Sequence, residues 1–519
     1  MRIIEDKALL VETRDPDTIT SVIKKSAVME THRGSSKVAV HWGLKEAQAL
    51  TTLGHDVPSP MLRDYEWTGK FAPFAHQKTT SSFLTLNRKA FCFSEAGTGK
   101  TASVIWSADY LMKLGKIKRV LVLCPLSIMK AAWQQDLFKF AMHRSCSVAH
   151  GSADQRRKII AAGSDFVILN FDGLAVVKDE IAAGGFDLIV VDEATAYKNA
   201  QTTRWKILRN LQKETDPWMW MMTGTPAAQS PLDAYGLSKL VNPEGCPRYY
   251  GAFRDSVLYK ITQFKWGVKP QADSIVHRML QPAIRFEKSQ CLDLPKVTAV
   301  ERDAPLTPQQ MKYYKLLKSQ MSMEADGEHV SAVNAAVSIN KLLQISGGAV
   351  YSDTGEVVQF DVSNRINAVL EVIGETTRKV LIFVPFTHTI ELLREALEKE
   401  KVTCAVINGK VNLNKRSQIV EDFQSKPDPR VLIIQPQAAS HGLTLTEADT
   451  IIWYAPVTSV ETYLQANARI DRPGQKHPMT IVHIKGSEVE ARLYQMLRGN
   501  IDNHQKIVDL YRQEILQSG

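Results

Sequence analysis

The stretch of this 519-residue chain with the most pointed chemistry is S-E-A-G-T-G-K-T at 94–101, between the apolar KAFCF and the helix-forming ASVIWSADYLMKL. A glycine-rich turn from strand to helix lets successive backbone N–H groups approach a phosphate at the positive helix end. There Lys100 reaches the β- and γ-phosphates and the Thr101 hydroxyl serves Mg²⁺. Gly97, Thr98 and Gly99 form the cradle, the two glycines being least tolerant of a side chain. Ser94 stands where the strict pattern has glycine.

Asp192 and Glu193 end a second apolar run, FDLIVV, where a parallel strand delivers side chains to a ligand crevice. Alone, such a pair reads as a helix N-cap. Beside a phosphate loop it reads as a metal-holding carboxylate, Asp192, and a water-orienting one, Glu193, because phosphoryl transfer needs mainly positioning and charge neutralisation. A third run closes in M-T-G-T-P at 222–226, whose Thr223 and Thr225 hydroxyls are placed to bond that pair.

These motifs need a scaffold, and the runs around them supply it. VLVLC (120–124), FVIL (166–169), FDLIVV (186–191) and WMWMM (218–222) are short and lack polar alternation, as strands buried on both faces do. The rhythm returns in KVLIFV (379–384), CAVI (404–407), VLII (431–434), TIIWY (450–454) and TIVHI (480–484). The predicted fold is α/β, with two similar parallel-sheet lobes in tandem, helical protrusions between them and a small α+β module in front. The boundaries fall at 1–65 for that module, 66–245 for the first lobe, 246–360 for protrusions and hinge (helices near 308–323 and 329–345, a turn at 352–355), and 361–519 for the second lobe.

Composition is that of a soluble globular protein, 44% hydrophobic and 23% charged, with no apolar run near the ~20 residues that cross a bilayer. The expectation is a cytoplasmic or nucleoid protein, or one of a host cytoplasm if viral, and a monomer. Six scattered cysteines without a C-x-x-C pair argue against a zinc site and a disulfide framework. Net charge is +9, and residues 251–300 hold eight Lys and Arg against four acids, a surplus suited to a polyanion or to an ordinary solvated face.

In order, the motifs resemble the Swi/Snf-type remodelling and annealing ATPases of superfamily two, over roughly 70–495, and the resemblance implies that the two parallel-sheet lobes are RecA-like. FAPFAHQ (71–77) is similar to that family's adenine-reading segment, with Gln77 in the base-reading place. VLVLCPLSIMKAAWQQDLFKF (120–140), DEATAYKN (192–199) and the run from MTGTP to Asn242-Pro243 resemble its next motifs, and KVLIFVPFTHTIELL (379–393) through Q-A-N-A-R-I-D-R-P-G-Q (465–475) resemble its later ones. The resemblance implies that Gln465, Arg469 and Arg472 face the γ-phosphate, the arginines acting as fingers, and that Gly442 belongs to the nucleotide set. It implies nucleic-acid backbone contacts at Pro125 and Ser127, Asn170 and Asp172, and Gln435 and Gln437. Thr195 replaces the family's box histidine, and Ser440-His441 replace a glycine pair. KVAVHWGLKEAQALTTLG (37–54) resembles a HARP-type recognition domain or a small viral DNA-reading module, with His41, Trp42 and Lys45 as DNA contacts; the alternative is a packing extension on the motor.

The implied function is an ATP- and Mg²⁺-dependent motor on double-stranded DNA that remodels forks or branched DNA without reading sequence. A strand-separating DNA or RNA helicase is the neighbouring alternative. A nucleotide-gated binding module, uncoupled through Thr195, is the alternative of another class.

Overall fold

The structure, a computed structural model, describes residues 1–499 apart from 33, 225, 227–229, 262–265, 292–293, 326–331, 352–356 and 440–442. The chain divides into two compact units, one of Met1–Ala227 with Pro231–Cys291, the other running from residue 292 onward with 228–230.

In the first unit seven strands form one sheet in the order Ala283–Ile284, Lys89–Cys92, Trp218–Met222, Leu188–Asp192, Val120–Cys124, Phe166–Asn170 and Cys146–Val148. Every pairing is parallel. Alternate residues of one run enter opposite cores: Val120, Val122 and Cys124 pack on one face, Leu121 and Leu123 on the other. Helices cover both faces, so neither needs polar residues, and the runs read as unbroken apolar text.

The second unit repeats the plan with six parallel strands, in the order Val297–Asp303, Met479–Lys485, Ala448–Trp453, Lys379–Phe383, Val431–Ile434 and Cys404–Ile407. The predicted α/β class with two parallel sheets is therefore the observed one. Among the described residues no helix is long and apolar enough to cross a membrane.

The amino-terminal residues make a four-stranded antiparallel sheet, ordered Arg2–Ile4, Ala8–Thr13, Ser35–His41, Ser26–His32, beside helices Pro16–Val22 and Leu44–Thr52. Its inward residues Leu9, Val11, Val38 and Val40 join one hydrophobic cluster with Leu84 and Ala102 of the phosphate-loop unit. Trp42, offered above as a DNA contact, is buried with its indole N–H donating to the Pro58 carbonyl at 2.8 Å, so its work is packing.

The segment 246–360, expected as a separate stretch of protrusions and hinge, is divided between the units. Ala283–Ile284 pairs with the phosphate-loop strand, while Val297–Asp303 is the edge of the second sheet. Helices Pro308–Ala325 and Ala332–Gly347 form where expected, with Gly348 at φ 111° ending the second, and Tyr314, Leu342 and Leu343 share a core with Val489 and Leu493 of helix Glu488–Arg498. The turn expected at 352–355 lies outside the described residues.

In the second unit His483 is fully buried, with Nε2 2.9 Å from the Tyr463 hydroxyl. Burial, aided by the charge of Arg498, pushes its imidazole down to about 4 from an ordinary 6.5. The unfolded chain then takes the proton first, so stability is lost as pH falls from about 6.5 to about 4. Urea unfolding is expected to show the wild type losing about 2 kcal/mol more between pH 7 and pH 5 than His483→Gln does; equal losses would count against this burial.

Candidate nucleotide site and nucleic-acid contacts

Register sets the site. Met222 is paired with Cys92 on one side and Asp192 on the other, so three neighbouring parallel strands end in one row. The phosphate loop, Thr223 and the Asp192-Glu193 pair consequently leave the sheet at the same edge, and the Thr223 N–H donates to the Cys92 carbonyl at 3.1 Å.

Within the loop Gly97 and Gly99 have φ of 88° and 77°, left-handed values that glycine adopts without strain. A Cβ on Gly99 would sit 2.0 Å from the side-chain nitrogen of Gln77. That glutamine, expected to read adenine, is buried and bridges its own helix to the loop: Oε1 accepts from the Phe74 N–H at 2.9 Å and Nε2 donates to the Thr98 carbonyl at 3.4 Å. His76 Nε2 lies 2.8 Å from the same carbonyl. Lys100 Nζ donates to the carbonyls of Ser94 at 2.6 Å and Glu95 at 3.1 Å, folding its ammonium into the loop. Thr101 follows it in the first turn of helix Lys100–Lys113.

Sequence reasoning gave Ser94 no role, and the structure supplies one. Its buried hydroxyl accepts the Phe286 N–H at 3.1 Å. Glu95 N–H donates to the Phe286 carbonyl at 3.0 Å, and Glu95 Oε2 accepts from the Lys288 N–H at 3.0 Å. Residues 284–288 are thereby laced along the phosphate loop, and glycine at 94 would lose the first stitch.

Asp192 is held from two sides. Oδ2 accepts the Trp133 indole N–H at 2.9 Å and Oδ1 accepts the Glu193 N–H at 3.0 Å. Burial raises its carboxyl above the ordinary range, while Trp133 and the charge of Lys100 oppose that rise. Glu193 sits at φ 56° and begins the 3₁₀ turn Ala194–Tyr197, which contains Thr195. That turn is seated by Gly236, where a Cβ would lie 2.3 Å from the Lys198 carbonyl. Thr101 and Asp192 offer oxygen donors only, the set Mg²⁺ prefers when phosphates complete its shell. Among the described residues no group of three or more His, Cys, Asp or Glu forms a protein-only metal cage.

Trp133 lies in the π-helical turn Met129–Gln134, which follows the candidate contacts Pro125 and Ser127. π turns recur at functional sites, where they re-aim a side chain. Asn170 ends the next strand and accepts from Arg156 at 2.9 Å. Asp172 is exposed and paired with Arg204 at 3.1 Å; since its carboxylate repels a phosphate, any backbone contact there falls to the main chain.

In the second unit Gln465 donates to Glu461 at 3.2 Å. The Leu443 carbonyl accepts from Arg469 at 3.2 Å and from Arg472 at 3.1 Å, and Arg472 also donates to the Thr444 hydroxyl at 2.8 Å. Arg469 is buried. Gln435 ties two loops, accepting from the Gly409 N–H at 3.3 Å and donating to the Pro385 carbonyl at 3.4 Å, and Gln437 lies on the short helix Pro436–Ala439 that follows. Gly442 and Thr225 lie outside the described residues.

The chain matches the SNF2-related domain over residues 39–346 and the helicase conserved C-terminal domain over 364–474. It is 25% identical over 421 residues to a chromodomain-helicase-DNA-binding protein 1-like of Mus musculus, covering 77% of this chain and 45% of that one. Identity is also 25% to an uncharacterized ATP-dependent helicase of Mycoplasma genitalium, over 78% of this chain and 38% of that one. A putative protein p41 of Acyrthosiphon pisum secondary endosymbiont phage 1 is 24% identical, over 80% of this chain and 93% of that one. The chain thus spans less than half the length of the first two relatives. A solved Sulfolobus solfataricus SWI2/SNF2 ATPase core in complex with dsDNA is similar at 23% identity and a TM-score of 0.41, over 83% of this chain and 92% of that one.

Trp133→Phe keeps a ring in the core and removes one donor from a buried carboxylate. Losing a hydrogen bond to a charged group costs about 1.5–3 kcal/mol. The Mg²⁺ concentration that half-saturates nucleotide binding is expected to rise about tenfold and the melting temperature to fall by a few degrees, as calorimetric titration and thermal melting would measure; an unchanged Mg²⁺ requirement would remove Trp133 from the site.

Proposed function

We propose that this chain, which belongs to the SNF2-related family and carries the two domains of a helicase-type ATPase, is an ATP-driven motor that moves on double-stranded DNA and remodels forks or branched DNA without reading sequence. The observation that carries the reading is the shared row of strand ends, which sets Lys100 and Thr101 on one strand's loop and Asp192 and Glu193 on another's.

On this reading the N–H groups of 97–101 cradle the phosphates, and Lys100 exchanges its two loop carbonyls for phosphate oxygens. Thr101 and Asp192 would hold Mg²⁺, which would supply charge neutralisation at the phosphates. Glu193, at a left-handed backbone position directly after the strand, orients the attacking water. Gln77, held beside the loop by its hydrogen bond to the Thr98 carbonyl, reads the adenine base, and Gly442 completes the nucleotide set. Arg469 and Arg472 meet the charge of the terminal phosphate, with Gln465 beside them; supplying such a finger is worth about 10³- to 10⁵-fold in rate. DNA is held through its backbone by the loops at 125–127 and 170–172 and at 435–437. Contacts of that kind position without specifying sequence. The reading places the protein where DNA is, in the cytoplasm or nucleoid, acting as a monomer.

ATPase activity measured with single strands, duplex, forks, four-way junctions and RNA at several salt concentrations tests this directly. Duplex or branched DNA is expected to stimulate turnover, and the stimulation to fall steeply with salt as condensed counterions cease to drive binding. Lys100→Ala or Glu193→Gln is expected to cut turnover by at least about 100-fold with DNA binding retained, and Arg472→Ala by about 10³-fold with ATP binding retained. Stimulation by RNA alone would overturn the DNA assignment, and loss of DNA binding in Lys100→Ala would mean that the loop serves another purpose.

A further inference from the structure

Arginines can neutralise a terminal phosphate only if the turn that carries them is held still, since a misplacement of about 1 Å can cost about a hundredfold in rate. In the second unit that turn leaves helix Val460–Asn467 and runs to Gln475, with Arg469 and Arg472 inside it. It is staked at both ends to one strand, Ala448–Trp453. At the far end the buried Gln475 donates from Nε2 to the Ala448 carbonyl at 2.8 Å. Midway the Arg469 carbonyl accepts the Leu445 N–H at 3.0 Å. At the near end the Trp453 indole N–H donates to Asn467 Oδ1 at 2.9 Å.

The near stake lies beside the groups from which both arginines are aimed. Arg469 Nε donates back to the Gln465 carbonyl at 2.7 Å, and Arg472 Nε to the Ala468 carbonyl at 3.1 Å. Gln465 and Ala468 flank Asn467 in the chain, and the Asn467 carbonyl itself accepts the Ile470 N–H at 3.4 Å. A displacement of Asn467 therefore carries both guanidinium stems with it. Its post is firm. Trp453 is fully buried, its ring 4.8 Å from that of Phe383 and 5.1 Å from that of Tyr463. The Tyr463 hydroxyl lies 2.9 Å from Nε2 of His483, the residue paired with Trp453 on the next strand. An indole N–H can only donate, so it selects the amide oxygen and fixes which way Asn467 turns. Packing alone would be served by apolar side chains at both positions, without the cost of burying two polar groups.

We propose that Asn467 and Trp453 are positioning residues for ATP hydrolysis, their hydrogen bond setting where Arg469 and Arg472 stand. The inference rests on the arginine-finger reading and deepens it, since it names what aims the fingers.

DNA-stimulated ATPase kinetics of the full chain, taken beside thermal melting, test it. Trp453→Phe and Asn467→Ala should each lower kcat about 10- to 100-fold. KM for ATP should hold, because the bond acts on groups that engage in the transition state. Each single variant leaves a polar group without its partner and should melt lower. The Trp453→Phe/Asn467→Leu double variant leaves none, so its melting temperature should return toward wild type while kcat stays low. That double variant also serves should a single one fail to fold. A kcat that recovers together with the melting temperature makes the pair merely structural and overturns the proposal, as does an unchanged kcat in Trp453→Phe. Arg472→Ala separates this from the reading beneath it. If that variant leaves kcat unchanged, the finger reading falls and the proposal with it; if it cuts kcat about 10³-fold while Trp453→Phe does nothing, the proposal alone falls.

Discussion

Parallel register is the constraint on which the candidate site depends. In the first sheet the parallel ladder pairs Met222 with Cys92 on one side and with Asp192 on the other. Cys92, Met222 and Asp192 are consequently fixed in one row, and loops from distant parts of the sequence emerge together. Two buried cores, one on each face, hold that row. A one-residue slip of Leu188–Asp192 would invert its faces and withdraw the carboxylate at once.

This explains what was legible in the chain. Central strands, apolar on both faces, announce themselves without periodicity, and the runs at 120–124, 218–222 and 431–434 are the observed strands Val120–Cys124, Trp218–Met222 and Val431–Ile434. Of the four edge strands of the two parallel sheets, only Cys404–Ile407 was legible. Val297–Asp303 is mostly exposed and reads VTAVERD, and Ala283–Ile284 is two residues long; both strands are recruited by a neighbour rather than by their own composition. Missing them made 246–360 look like a separate stretch. The amino-terminal sheet shows the same limit, since burial of Leu9 and Val11 against the phosphate-loop unit is a property of the partner surface and not of the strand.

The site followed a similar division. Residue types that chemistry demands, Lys100, Thr101, Asp192 and Glu193, stand out because few other uses require them in that spacing. Residues that hold these in place do not. Ser94 looked like a defect in a glycine pattern, and it is the acceptor that fastens Phe286 to the loop. Gln77 and the loop touch through the space Gly99 leaves open, a contact between two motifs that neither motif reveals alone.

Trp133 shows why such supports belong with the chemistry. A carboxylate sunk at the end of a buried strand is pushed toward its neutral form, and a neutral Asp192 would hold a cation poorly. The indole N–H is an obligate donor that stabilises the charged form without bringing a charge of its own, and here it meets Oδ2 at 2.9 Å. Because that tryptophan is carried on the turn after Pro125 and Ser127, a displacement of the turn shifts the donor, and with it the oxygen Asp192 can present. The buried ring therefore ties the loop proposed to meet DNA to the carboxylate proposed to meet the metal, a connection that a residue chosen for packing volume alone would not make.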